Sequence, residues 1–234
     1  GTRLRPMTLD RPKPMMPIND KPLLEYTVGW LHAHGIQDIA INLHYHPEAI
    51  VNHFGDGSAL GVLITYSHED PILGTAGAVR KLNGFLQGGP LVVVYGDVLT
   101  NLDLRALLAF HHQAVVRNPA TGATLGLQRL PNPVGKGVVE LDDTGRVIRF
   151  VEKPQAAFSD LVNAGILIIE PGIVEYIPPD TFYDFGQHLF PRLLEMGVAL
   201  YGWIIPNKTY LLDIGTPEAY AQAQREWPGV SQRC

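Results

Sequence analysis

The sequence predicts an α/β fold with a mixed, mainly parallel sheet flanked by helices. Three short apolar runs of buried-strand length, IAINL (Ile39–Leu43), VLITY (Val62–Tyr66) and LVVVY (Leu91–Tyr95), alternate with segments of helical period. That alternation implies crossover helices on a parallel sheet. The second half of the chain changes character, to strands that read as antiparallel with Asp143-Thr144-Gly145 as the hairpin turn between two of them. At 234 residues there is material for one large core, and no linker, repeat or low-complexity tract interrupts it, so residues 1–229 are read as a single domain.

The elements follow in order. Residues 1–22 carry five prolines and no apolar period, which reads as an extended loop. Leu23, Leu24, Tyr26, Thr27, Trp30 and Leu31 recur at helical spacing up to His34, and Gly35 ends that helix. Pro47 starts the helix PEAIVNHF, since proline is tolerated in a first turn. TAGAVRKLNGF and LDLRALLAFHHQA are helices on either side of LVVVY. TLGLQRL, GVVELDD, RVIRFVEKP, NAGILIIEP and ALYGWII are strands, with a helix from Pro191 to Met196 before the last of them. The final helix, TPEAYAQAQREW, takes Thr216 as its N-cap and Pro217 as its first helical residue.

Composition narrows the function classes. The formal net charge of −5 argues against a nucleic-acid partner, because such domains carry a basic face. The one cysteine, Cys234, offers neither a disulfide framework nor a thiolate metal site. No apolar run approaches the length that spans a bilayer, and no leader pattern opens the chain, so a cytoplasmic location without membrane partners is the expectation.

Four stretches carry candidate chemistry. The opening GTRLRPMTLDRPKPMM holds Arg3, Arg5 and Lys13 in a proline-shaped loop, an arrangement that suits a polyanion; a solvated basic loop is the plain alternative. Asp97 follows LVVVY, at the strand end where open α/β sheets bind ligands and where an aspartate commonly holds Mg²⁺ beside phosphates; a helix cap would look the same. In HEDPILGTAGAV, Gly74 and Gly77 bracket Thr75 before a helix, leaving backbone amides free for a ligand or for a tight turn, and Glu69 could accept hydrogen bonds from a base or sugar. The set FVEKP, NAG and LDIGTPEAY adds Glu152, Lys153, Asn163 and Asp213, each of which alone reads as a turn salt bridge or cap.

Taken together, these stretches resemble a known family. GTRLRPMTLDRPKPMMP is similar to the signature loop of sugar-nucleotide pyrophosphorylases, G-x-G-T-R-L-x-P-x-T followed by P-K-P-M. LGTAGAV, GDVL, FVEKP, NAGI, DFGQHLFPRLLE and LDIGTPEAY occur in that family's order over essentially the whole chain, and several look most like the bacterial mannose-1-phosphate guanylyltransferase-like branch. The resemblance implies a Rossmann-like, GT-A-like nucleotidyltransferase fold, with residues 1–100 as the nucleotide-binding half and 101–229 as the sugar-phosphate half. It implies an NTP and a sugar 1-phosphate as substrates, an NDP-sugar and pyrophosphate as products, and Mg²⁺ as cofactor.

Residue by residue, it implies that Arg3 and Lys13 grip the reacting phosphates and that Asp97 and Asp213 share the metal. Gly1, Thr2, Glu69, Gly74 and Thr75 would line the nucleotide, and Gly137, Glu152, Lys153 and Asn163 would hold the sugar 1-phosphate. In-line attack by an oxygen that is already anionic needs positioning and electrostatics rather than a strong base. The resemblance favours mannose 1-phosphate with GTP. Glucose-1-phosphate thymidylyl- or uridylyltransferase is the close rival, and a catalytically silent nucleotide-sugar-sensing subunit is the rival from another class.

The departures are also expectations. The family places a strand and a glycine-rich turn ahead of GTRL, whereas this chain starts at the last glycine, so its usual first strand is expected to be absent from the given sequence. No left-handed β-helix is expected after the last helix, and Lys136 stands where many relatives carry tyrosine. His32, His34, His44, His46, His111 and His112 lack a carboxylate at metal-ligand spacing and read as surface or satisfied polar positions, while Trp30, Phe110 and Trp227 read as core. Exposed sheet edges and the family's habits point to a homo-oligomer.

Overall fold

The computed structural model describes residues 4–85 and 88–228. A 3₁₀ turn, Lys13–Met15, leads into a ribbon of β1 (Pro17–Ile18) and β2 (Lys21–Pro22), followed by α1 (Leu23–Ala33), β3 (Asp38–Leu43), α2 (Pro47–Phe54) and β4 (Leu63–His68). Next come α3 (Gly74–Lys81), β5 (Leu91–Val94), β6 (Val98–Thr100), α4 (Leu104–Arg117), β7 (Thr121–Arg129), β8 (Gly137–Leu141), β9 (Val147–Glu152) and β10 (Leu161–Ile169). A π-helical turn, Phe185–Leu189, runs into α5 (Phe190–Glu195), and β11 (Ala199–Ile204), β12 (Leu211–Asp213) and α6 (Pro217–Glu226) complete the order. Helices and strands thus fall within a residue or a few of the segments read from periodicity. The described part of the opening loop, however, contains the β1–β2 ribbon. Asn19 and Asp20, both at positive φ (46° and 71°), make the tight two-residue turn that lets it form.

The chain forms two compact units that interleave along the sequence. The first runs to Pro71, takes in Tyr95–Leu102 and resumes at Lys208; the second comprises Ile72–Val94 and Asp103–Asn207.

In the first unit β3 and β4 pair in parallel from Asp38↔Leu63 to Leu43↔His68, and β12 pairs antiparallel with β6. Ile18, Leu23, Leu99, Ile214, Ala223 and Trp227 form one buried cluster, so the first ribbon, α1, the β6–β12 ribbon and α6 share a core. Trp30, fully buried on α1, donates its indole N–H to the carbonyl of Leu102 at 2.7 Å. Helix α6 is fixed at its start by Thr216, whose hydroxyl accepts from the amide of Ala219, and along its length by Gln224, which donates to the carbonyl of Pro17.

The second unit is built on a six-stranded mixed sheet in the order β11-β7-β10-β8-β9, with β5 also on β10. Strand β10 changes partners along one flank: Leu161 and Val162 pair with β8, whereas Ile166–Ile169 pair with β5. A bulge between Asn163 and Leu167 marks the handover, with Gly165 at φ +73° inside it. Among the described residues β5 pairs only with β10, antiparallel, and its four residues are half-buried, so LVVV belongs to this sheet rather than to the β3–β4 pair.

Phe185 and Phe190, both fully buried, pack against each other and set α5 on the sheet. On α4, His111 is buried and satisfied, Nδ1 against Thr124 Oγ1 and Nε2 against Glu170 Oε1, each at 2.9 Å. Trp30 and Trp227 are core, while Phe110 is only partly buried, against Ala114, Ala199 and Tyr201. No helix among the described residues is long and apolar enough to cross a membrane.

Candidate functional site

The candidate residues fall into two groups, one in each unit. Gly1, Thr2 and Arg3 lie outside the described residues. In the first unit the loop after them is anchored at several points while Arg5 and Asp10–Arg11 stay exposed. Leu4 and Met16 are buried, and the Tyr45 hydroxyl donates to the carbonyls of Thr8 and Leu9. The 3₁₀ turn is closed by the amides of Met15 and Met16 donating to the carbonyls of Pro12 and Lys13. A Cβ on Gly96 would stand 3.2 Å from Pro14 Cγ, so glycine at 96 lets the proline settle against the Gly96-Asp97 backbone. That close approach brings Lys13 Nζ to 2.6 Å from Asp97 Oδ2, with only 17% and 29% of the two side chains exposed. A charge-assisted bond this short in a partly dry setting holds both groups in place.

Asp97 leads directly into β6, and its carbonyl accepts from the amide of Ile214, while Asp213 stands opposite Val98 in the ribbon. The backbone therefore sets the two aspartates at one end of the same ribbon. Among the described residues no three His, Cys, Asp or Glu side chains are gathered to hold a metal. Two carboxylates nevertheless fit Mg²⁺ as a donor set, because this hard ion is commonly held by one or two carboxylates with the remaining oxygens from phosphates and water.

Glu69 follows β4 at the carboxyl end of the parallel pair and is 3% exposed. Its Oε1 accepts from Asn42 Nδ2 at 2.9 Å, and its carbonyl accepts from His44 Nδ1 at 2.9 Å. The carboxylate is thus buried and oriented by β3.

The second unit gathers three candidates on three adjacent strands, with Lys153 directly after one of them. Gly137 on β8 stands opposite Glu152 on β9, and its neighbour Val138 stands opposite Val162 on β10, the residue before Asn163. Glu152 and Gly137 are thus directly paired, and Asn163 lies on the neighbouring strand where the β10 bulge begins. Asn163 Oδ1 accepts from the amide of Gly165 and so shapes that bulge. A Cβ at Gly137 would lie 2.7 Å from Glu152 Oε2, and one at Gly186 2.5 Å from the same oxygen. Two missing side chains therefore make the slot in which this carboxylate rests. Burial pushes the Glu152 carboxyl above the ordinary range; Lys153 opposes the shift and Asp184 adds to it. Lys153, at φ +48°, holds Nζ 3.8 Å from Glu152 Oε1 with most of its side chain in solvent, available to an anion.

Gly74 and Thr75 sit elsewhere in this unit, at the start of α3. The amides of Ala76 and Gly77 both donate to the carbonyl of Tyr183 at 2.9 Å. A Cβ at Gly74 would lie 2.7 Å from that same oxygen. Here the glycine admits the Tyr183 backbone, the tight-turn alternative for the Ala76 and Gly77 amides. The Thr75 hydroxyl donates to Asp184 Oδ2 at 2.8 Å and accepts from the amide of Phe185 at 2.9 Å. Asp184 and Gly186 carry roles that sequence reasoning missed. Their motif, DFGQHLF, was visible, but its function depends on contacts with residues far away in the chain.

Comparison with known proteins gives a consistent picture. The family model described as nucleotidyl transferase matches residues 1–228. The chain is 36% identical over 227 residues to a mannose-1-phosphate guanylyltransferase of Mycobacterium tuberculosis, covering 97% of this chain and 61% of that protein. It is 37% identical over 240 residues to a UTP–glucose-1-phosphate uridylyltransferase of Synechocystis, covering 96% and 60%. The chain thus spans about 60% of the length of these relatives. A solved structure from Bacillus anthracis, assigned as a glucose-1-phosphate thymidylyltransferase, superposes with a TM-score of 0.83 at 25% identity, covering 96% of this chain and 89% of that one.

Proposed function

The chain belongs to the nucleotidyl transferase family, and from that premise we propose that it transfers a nucleotidyl group from an NTP to a sugar 1-phosphate. A phosphate oxygen of the sugar 1-phosphate bonds to the α-phosphorus, the bond from that phosphorus to the bridging oxygen breaks, and pyrophosphate leaves with the electron pair. Mannose 1-phosphate and GTP are the favoured pair, since a mannose-1-phosphate guanylyltransferase is among the relatives most similar to the chain. Glucose 1-phosphate with UTP is the second reading, supported by a relative of nearly equal identity.

One observation carries the proposal: Lys13 held 2.6 Å from Asp97, in the ribbon that also bears Asp213. It supplies a fixed cation for phosphate charge and two carboxylates of the kind that Mg²⁺ uses. Bound there, Mg²⁺ would supply charge neutralisation at the phosphates. Lys13 grips phosphate oxygens, and Asp97 keeps the ammonium aimed before substrate arrives. Glu69, buried and oriented by Asn42, accepts hydrogen bonds from the nucleoside. In the second unit Lys153 binds the phosphate of the sugar 1-phosphate, and Glu152 accepts from sugar hydroxyls, framed by Gly137 and Asn163. No protein nucleophile is required, because the attacking oxygen is already an anion.

The test is pyrophosphate release over a matrix of GTP, UTP and dTTP against mannose and glucose 1-phosphates, with Mg²⁺ present. Turnover with one pair, lost by about 10²–10³ in Asp97→Asn, supports the assignment. An active Asp97→Asn variant would exclude the role given to that carboxylate.

A further inference from the structure

We propose that Asp184 is a positioning residue for the nucleotidyl transfer set out above, fixing the Gly74–Thr75 turn with one carboxylate oxygen and the backbone beneath Glu152 with the other. The inference rests on that functional reading for its consequence, but its geometry stands by itself. Asp184 Oδ1 accepts from the amides of Gly186 and Gln187 at 2.9 and 3.1 Å, capping the π-helical turn. Gly186 is the residue whose missing Cβ leaves room for Glu152 Oε2. Asp184 Oδ2 accepts a hydrogen bond from the Thr75 hydroxyl at 2.8 Å. The Asp184 amide in turn donates to His188 Nδ1 at 2.9 Å, and the His188 ring stacks on Tyr183 with centroids 5.0 Å apart. Tyr183 is itself tied to α3 through its carbonyl, so the Asp184 backbone is held from both sides.

The chemical consequence lies in the Thr75 hydroxyl. It has one proton and two lone pairs. The proton is committed to Asp184 and one lone pair to the amide of Phe185, which leaves a single acceptor lone pair. A ligand group reaching Thr75 Oγ1 must therefore donate, as a ribose hydroxyl or a base N–H does and a phosphate oxygen does not. Asp184 fixes this polarity as well as the position of the turn.

Asp184→Asn separates the roles. Asparagine caps a helical turn about as well as aspartate, so its Oδ1 retains the cap. Its amide then faces Thr75 as a donor, and the threonine proton is turned toward the ligand, where a donating group now meets a donor. Full-length wild type, Asp184→Asn and Asp184→Ala are compared by KM for GTP and UTP, KM for mannose and glucose 1-phosphates, kcat and melting temperature.

The expected result for Asp184→Asn is a five- to tenfold rise, to order of magnitude, in KM for the nucleotide. Its sugar 1-phosphate KM and melting temperature stay close to wild type. Asp184→Ala, which frees both oxygens' partners, raises both KM values. Unchanged nucleotide KM in Asp184→Asn overturns the proposal, as does an equal rise in both KM values with a lowered melting temperature, the mark of a merely structural cap. If wild type turns over no pair, the transfer reading fails, and calorimetric binding of GTP and UTP decides the positioning role. Weaker binding by Asp184→Asn then sustains it; equal binding, or none by wild type, overturns it.

Discussion

Lys13 Nζ lies 2.6 Å from Asp97 Oδ2, joining a proline-shaped loop to the start of a three-residue strand 84 positions away in the chain. With both side chains less than a third exposed, the pair is shielded enough to hold its geometry and open enough to meet a ligand. Lys13→Ala is expected to lower turnover by about 10²–10³ while leaving the circular dichroism spectrum unchanged. Lys13→Arg is expected not to restore it, because a planar guanidinium cannot reproduce a point ammonium at this distance. Steady-state pyrophosphate release by the two variants checks both statements.

Gly137→Ala puts a methyl group into the slot occupied by Glu152 Oε2 and the Phe150 ring, each 2.7 Å from the new carbon. Overpacking of this kind costs about 1–3 kcal/mol. Urea titration should show that loss, and KM for the sugar 1-phosphate should rise more than KM for the nucleotide. An alanine variant with wild-type stability would mean that Glu152 does not rest over Gly137.

Burial holds the Glu152 carboxyl above its ordinary range, so ionising it opposes folding. The sign follows from proton binding: between the ordinary and the raised value the native chain holds the proton more tightly than the unfolded chain. This group's favourable contribution is complete below about pH 4 and is lost as pH rises through the raised value. Glu152→Gln removes the penalty. Thermal melts should show the variant more stable than wild type at pH 7, with the gap closing toward pH 4. A gap that widens on acidification would contradict the assignment.

Trp30→Phe keeps most of the ring's burial but removes the donor to the Leu102 carbonyl, leaving that oxygen unsatisfied in the core. A loss of about 1–3 kcal/mol is expected in urea titration, with nucleotide KM unchanged, since α1 contributes no candidate ligand group.

Much of the fold was legible because periodicity and capping act locally. Thr216 and Pro217 announce α6 at the residue, and the apolar spacing from Leu23 to Leu31 announces α1. Strands β6 and β12 were not legible: three residues carry no period, and they pair only because a shared core gathers Leu99 and Ile214. Leu91–Val94 read as one strand of a parallel set, yet its described partner is the antiparallel β10, a pairing between segments more than 70 residues apart that local periodicity does not encode.

The candidate site divides in the same way. Lys13, Asp97, Glu152 and Asn163 were visible as residue types at strand ends and in a basic loop. Their arrangement was not, because the pairing of Glu152 with Gly137, and the neighbouring pairing of Val138 with Val162, exist only in the register of three strands. Gly74 and Gly77 read equally as room for a ligand or as a tight turn, and only the fold shows the Tyr183 backbone packed there.

The central claim is that the bond broken joins the α-phosphorus of the nucleotide to the oxygen bridging it to the β-phosphorus, and labelled GTP tests it most directly. With the label on the α-phosphorus and mannose 1-phosphate and Mg²⁺ present, the proposed reaction places all transferred label in the sugar nucleotide and none in pyrophosphate or on the protein. Label that remains in GTP with every sugar 1-phosphate tried, with the same outcome for UTP, or that appears covalently on the chain, would contradict it.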